Sequence, residues 1–128
     1  MKKVNIALVG ATGMVGRTFL KVLEDREFPI DTLYCFASER SKGEVLHCQG
    51  KEVVVETLTE QVFDYPIDIA LFSAGGDIST TYAPIAASKG IVVIDNSSAW
   101  RMDPSVPLVV PEVNAGALKH HKNIIANP

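Results

Sequence analysis

At 128 residues, with 47% hydrophobic and 21% charged side chains and a formal net charge of −3, the chain has the length and composition of one soluble globular domain with a packed core. No basic block marks nucleic acid or an anionic membrane surface as a partner, and no apolar run approaches the ~20 residues that span a bilayer. The opening MKKVNIALVG has two lysines before an apolar run, as a short signal peptide has. Glycines follow at once, however, and Arg17 and Lys21 come next without a cleavage-like site, so a strand in a cytoplasmic protein is the expectation.

The first predicted strand, Ile6 to Val9, runs into Gly10, with Gly13 and Gly16 at three-residue spacing and a helix beginning at Gly13 or Met14. A strand, a glycine turn and a helix N-terminus together make a phosphate cradle. Unpaired N–H groups and the helix dipole favour an anion, and glycines allow close backbone approach. The helix is predicted to run to about Arg26, with Val15, Phe19, Val22 and Leu23 covering the sheet. Phe28-Pro29 ends it, and Ile30 to Ala37 is a second strand. The segment Ser38 to Gly43 then stands where a nucleotide-binding βαβ unit meets the adenosine ribose. An acid there suits the 2′-hydroxyl of NAD, whereas arginine and hydroxyls suit the 2′-phosphate of NADP. Arg40 with Ser38 and Ser41 forms a candidate phosphate clamp, and Glu39 either points away from it or weakens it by repulsion.

Glu44 to Glu56 reads as a hairpin around Gln49-Gly50, an insertion relative to a minimal βαβ repeat. Thr57 to Phe63 reads as a helical turn capped by Thr59 and broken by Tyr65-Pro66. Ile67 to Ser73 is a strand buried on both faces, ending in Ser73-Ala74-Gly75-Gly76. A helix over about Ser79 to Lys89, stopped by Gly90, leads to a strand over Ile91 to Ile94. That strand ends in the polar cluster Asp95 to Ser98. Beyond it, prolines cut the chain into a short strand at Leu108 to Val110, a short helix over Ala115 to His121 and a last strand at Ile124 to Ala126. His120 and His121 read as surface residues. Three strand ends thus carry polar or glycine-rich segments on one sheet edge. The expected architecture is α/β, a Rossmann-type, mostly parallel sheet with helices on both faces, with residues 1–128 as one NAD(P)-binding domain. Cys35 reads as a small buried side chain. One disulfide between Cys35 and Cys48 is possible by count, but nothing suggests secretion. The neighbours His47 and Cys48 point to opposite faces of a strand and have no second ligand pair, so no metal or catalytic site is assigned to them.

The segments GATGMVG, SERSKG, DIALFSAGG, DNSSAWRMD, VPLVVPEVN and IIANP span nearly the whole chain and occur here in the order of one family. On these motifs the chain resembles the N-terminal coenzyme-binding domain of the aspartate-semialdehyde dehydrogenases. The resemblance implies NADP as cofactor and reversible conversion of L-aspartyl-4-phosphate to L-aspartate-4-semialdehyde through a cysteine thioester, on the route to lysine, threonine and methionine. It implies that Gly10, Thr12, Gly13, Met14 and Val15 surround the pyrophosphate and that Ser38, Arg40 and Ser41 hold the 2′-phosphate. Ser73, Ala74, Gly75 and Gly76 would line the adenine-to-ribose path, Asn96 would approach the nicotinamide, and Arg101 would bind the substrate phosphate through its paired donors. The family's nucleophile sits in I-x-N-P-N-C, two positions past the final Pro128, and neither Cys35 nor Cys48 matches it. The chain therefore reads as a coenzyme-domain fragment that binds coenzyme without catalysis. The parent is expected as a homodimer or homotetramer and the fragment as a monomer. Alternatives are an N-acetyl-γ-glutamyl-phosphate reductase-type domain and a free-standing nucleotide-binding module.

Overall fold

The computed structural model describes residues 2–97 and 124–126. Six strands form a parallel sheet: β1 (Val4–Val9), β2 (Ile30–Ala37), β5 (Glu56–Thr57), β6 (Ile69–Phe72), β7 (Val92–Asp95) and β8 (Ile124–Ala126), in the order β5-β2-β1-β6-β7-β8. The strands β3 (Val45–Cys48) and β4 (Lys51–Val54) form a separate antiparallel hairpin. Helix α1 (Met14–Asp25) joins β1 to β2, and α2 (Gly76–Ser88) joins β6 to β7. Among the described residues no helix is long and apolar enough to cross a membrane.

Ile6 to Val9 of β1 and the whole of β6 are apolar without interruption, because both faces of the sheet are covered there. Alternation along β1 sends Ile6 and Leu8 into a layer shared with Leu20 and Leu23 of α1. Ala7 and Val9 face the opposite layer, with Phe72 from β6, Phe63, and Ala83 and Ala86 from α2. The small Ala83 and Ala86 let α2 lie close to the sheet. The expected parallel sheet with helices on both faces is what forms.

Four local expectations need correction. In α1 the buried stripe is Gly16, Leu20 and Leu23, whereas Val15 and Val22 are 41% and 47% exposed. Gly16 sets this rotation, because the helix touches the glycine loop there and the i, i+4, i+7 positions follow it inward. Thr57, expected to open a helical turn, instead forms the short strand β5 with Glu56, which leaves the hairpin to pair with Phe36 while Thr57 pairs with Ala37 at the end of β2. The helical turn starts later, as a 3₁₀ segment at Glu60–Asp64, and Thr59 precedes it without a side-chain capping bond. Helix α2 starts at Gly76, three residues before the expected Ser79.

The hairpin forms about its predicted turn, with Gln49 and Gly50 both at positive φ (53° and 77°). Gln49 ties it to the end of α1: its side-chain N–H₂ donates to the carbonyls of Leu23 and Phe28, and its N–H donates to Glu24 Oε1 at 2.8 Å. Leu46 and Cys48 enter the α1-side layer, so the hairpin covers sheet that a second crossover helix would otherwise cover. Cys35 and Cys48 are buried free thiols. His47 is exposed beside Glu52, and no metal-ligating cluster of three occurs among the described residues.

Candidate functional site

The chain leaves β1 for β2 and β5, then returns to the other side of β1 as β6 and continues to β7. The order therefore reverses between β1 and β6. In open α/β sheets that reversal opens a crevice at the carboxyl ends of the strands, where ligands bind.

Gly10 closes β1 with φ +89°. A Cβ on it would lie 2.9 Å from Ala74 N and 2.9 Å from the Ser73 carbonyl carbon, so only glycine is accommodated. The loops are bonded into one rim here. Gly10 and Ala11 N–H donate to Phe36 O at 2.9 and 3.2 Å, Ser73 N–H donates to Val9 O at 2.9 Å, and Ser73 Oγ donates to Val9 O at 3.1 Å. Both helices start at this edge without a capping side chain, α1 after Gly13 and α2 after Gly75. Their first N–H groups and positive dipole ends favour an anion, α1 more so because its first turn carries no acid, whereas α2 has Asp77.

A groove of about 290 Å³ runs from the rim toward the end of β2. Gly10, Thr12 and Ala74 line it at the glycine loop, and Ser38, Glu39 and Thr57 supply hydroxyl and carboxyl groups at the ends of β2 and β5. Leu58, Ile78 and Tyr82 give it an apolar wall fit for a flat base. Thr12 Oγ1 and Ser41 Oγ are 3.1 Å apart and share a hydrogen bond, joining the glycine loop to the 3₁₀ turn at Glu39–Ser41. Arg17 Nε donates to Thr12 O at 3.2 Å while its Nη2 pairs with Glu44 Oε1 at 2.5 Å. That ion pair is half-exposed, worth at most ~1 kcal/mol. The Cβ-free approach at Gly10 and the two uncapped helix ends favour an anionic group at the rim, and the apolar wall favours a flat apolar group beside it.

Of the residues singled out from sequence, Gly10, Thr12, Ser38 and Ala74 line the groove. Gly13, Met14 and Val15 start α1, with Met14 86% exposed. Arg40 and Ser41 stand on the 3₁₀ turn beside the groove, and no hydrogen bond or ion pair involves Arg40 among the described residues. Gly75 and Gly76 open α2, and Ser73 belongs to the rim. Asn96 stands just beyond β7, its N–H donating to Phe72 O at 2.9 Å. Arg101, His120 and His121 lie outside the described residues, as do the strand expected at 108–110 and the helix at 115–121.

Sequence reasoning missed Thr57, Leu58, Ile78 and Tyr82. Ile78 and Tyr82 are four residues apart on α2, a signal hidden by starting that helix too late. The cysteines stand apart from this chemistry. Burial, and then the neighbouring Cys48, push the Cys35 thiol up to about 12, and burial with nearby Glu24 raises Cys48. A nucleophilic cysteine needs the opposite shift.

Known proteins point the same way as this geometry. The family described as semialdehyde dehydrogenase, NAD binding domain, matches residues 5–121. An aspartate-semialdehyde dehydrogenase of Aquifex aeolicus is 62% identical over 125 residues, covering 96% of this chain and 37% of that protein. The crystal structure of aspartate semialdehyde dehydrogenase II from Vibrio cholerae complexed with ASA gives a TM-score of 0.92 at 50% identity, covering 99% of this chain and 42% of that one. The Candida albicans enzyme with NADP gives a TM-score of 0.75 at 22% identity, a likeness of fold alone, over 98% of this chain and 42% of that one. The chain thus spans about two-fifths of the length of these relatives.

Proposed function

Because the chain belongs to the family of semialdehyde dehydrogenase NAD binding domains, we propose that it binds NADP(H) as the coenzyme domain of an aspartate-semialdehyde dehydrogenase. The observation that carries this reading is the groove that begins at Gly10, where a Cβ would meet the backbone of Ser73 and Ala74 and where two uncapped helices begin. The N–H groups of Met14 and Val15 hold the pyrophosphate, with Gly10, Gly13 and the Thr12 hydroxyl around it; the Gly13 N–H itself closes the glycine turn on Gly10 O at 3.2 Å. Ser38, Arg40 and Ser41 hold the 2′-phosphate, the serines through their hydroxyls and Arg40 through its guanidinium charge. Leu58, Ile78 and Tyr82 exclude water from the adenine. Bound NADP supplies hydride chemistry to the parent enzyme.

In that parent the reaction is the reversible reductive dephosphorylation of L-aspartyl-4-phosphate to L-aspartate-4-semialdehyde, with Arg101 at the substrate phosphate. The present chain supplies binding and orientation. Its two thiols are buried and hard to ionise, so by itself it binds coenzyme and does not turn over. The parent assembles as a dimer or tetramer in the cytoplasm, and this chain alone is a monomer without affinity for nucleic acid or membranes. A second reading, NAD in place of NADP, rests on Glu39, whose position on the groove lets a carboxylate accept from a ribose 2′-hydroxyl.

Calorimetric titration of the chain with NADP+ and NAD+ tests both readings. Saturable binding with NADP+ the tighter ligand supports the first, and the reverse order supports the second. No saturable heat for either at millimolar coenzyme refutes coenzyme binding. Phosphate-dependent reduction of NADP+ by this chain with the semialdehyde refutes the inactivity.

A further inference from the structure

Asp95 ends β7 fully buried, the sole charged side chain in the core of the described residues. A buried carboxylate is costly unless its oxygens are bonded. Here three donors meet it: Ser79 Oγ donates to Oδ2 at 2.5 Å, Ser97 Oγ donates to Oδ2 at 2.8 Å, and Ser97 N–H donates to Oδ1 at 2.8 Å. Ser79, itself 1% exposed, lies in the first turn of α2. One carboxylate therefore bonds the start of α2 to the backbone just past β7, and Asn96 is held between, its N–H on Phe72 O. An apolar side chain at the end of this strand would satisfy the core equally well, so the core does not account for an acid there.

The position accounts for it. The adenosine groove extends from the ends of β1 and β6 toward β2 and β5. A dinucleotide that places one half there and its pyrophosphate at the start of α1 must lay its other half across the ends of β6 and β7. Ser73 to Gly76 follow β6 at that edge, and Asn96 and Ser97 are the described residues that follow β7. We propose that Asp95 is a positioning residue for the nicotinamide half of the coenzyme, holding the Asn96–Ser97 backbone against the first turn of α2. The inference rests on the coenzyme reading above.

The test compares two ligands on the 128-residue chain: NADP+, which spans both halves, and adenosine 2′,5′-bisphosphate, which reaches only the groove. Asp95→Asn keeps the shape but replaces one acceptor by a donor. It is expected to weaken NADP+ about tenfold, the effect of losing a hydrogen bond to a charged group, and to change the bisphosphate less than about twofold. Ser97→Ala removes one of the three bonds without altering the carboxylate, and its smaller loss should fall on NADP+ alone. It decides the matter if Asp95→Asn does not fold. Equal weakening of both ligands, or no change in either, overturns the positioning role. If wild-type chain binds neither ligand, the coenzyme reading fails and this inference with it. If it binds both and the variants behave alike toward them, only this inference fails.

Discussion

Replacing Gly16 by alanine sets local propensity against tertiary fit. In an isolated helix the change stabilises by ~1 kcal/mol, since glycine is a poor helix former. In this fold a Cβ at position 16 would overlap the Gly10 carbonyl oxygen and lie 2.9 Å from both Ala11 C and Ala11 Cα. These are backbone atoms of a loop pinned by two N–H bonds to Phe36 O, so no side chain can swing aside. Helix α1 must retreat from the sheet instead, loosening Leu20 and Leu23. Overpacking against fixed backbone falls at the upper end of ~1–3 kcal/mol, and the helix gain offsets ~1 kcal/mol of it, leaving a net loss of ~2 kcal/mol. At ~3 °C per kcal/mol for a domain of this size, the melting temperature should fall roughly 6 °C. Gly76→Ala is the control, because a Cβ there has nothing within 4 Å, and its effect should stay within ~0.5 kcal/mol. Thermal melts by circular dichroism read both, and NADP+ titration of Gly16→Ala should show weaker binding because the glycine loop moves with the helix. A Gly16→Ala protein that melts at or above wild type would refute the packing assigned to this contact.

Glu39→Ala should raise the preference for NADP+ over NAD+ about fivefold, the effect of removing ~1 kcal/mol of repulsion in a solvated groove, as read from the two dissociation constants. Ser79→Ala removes a donor from the buried Asp95 carboxylate and should cost ~1.5–3 kcal/mol in a urea titration. A loss below ~0.5 kcal/mol would mean that the bond contributes nothing. The raised thiol of Cys35 makes folding pH-dependent on the alkaline side. Its folded pKa lies above the ordinary 9.0, so the unfolded chain holds fewer protons in between. Stability is then intact below about 9 and falls by up to ~1.4 kcal/mol per pH unit between 9.0 and about 12. Cys35→Ser should flatten that limb, and an unchanged slope would exclude the thiol as its source. Native chain should also resist iodoacetamide at both cysteines until denaturant is added.

The order of the elements was legible from sequence because its signals are local. Unbroken apolar runs at Ile6 to Val9 and Ile69 to Phe72 mark strands covered on both faces. Gly10, Gly13 and Gly16 mark where backbone must come close, and Gln49-Gly50 marks a tight hairpin. The phosphate-cradle residues were named on the same grounds, since a glycine turn between strand and helix is contiguous in the chain. What depended on tertiary structure has no such local trace. Glu56–Thr57 is two residues long and polar, and becomes a strand only because β2 offers it an edge. Val15 and Val22 fit the helical period as well as Leu20 does, and the contact of Gly16 with the glycine loop chooses between them. Leu58, Ile78 and Tyr82 come from two segments and form one wall only once α2 packs on the sheet. Asp95 read as part of a polar loop, yet it is buried, because Ser79 and Ser97 bring it donors from two separate elements. Sequence determined which residues are able to approach a ligand, through chain geometry each residue carries with it, while long-range packing decided which of them meet.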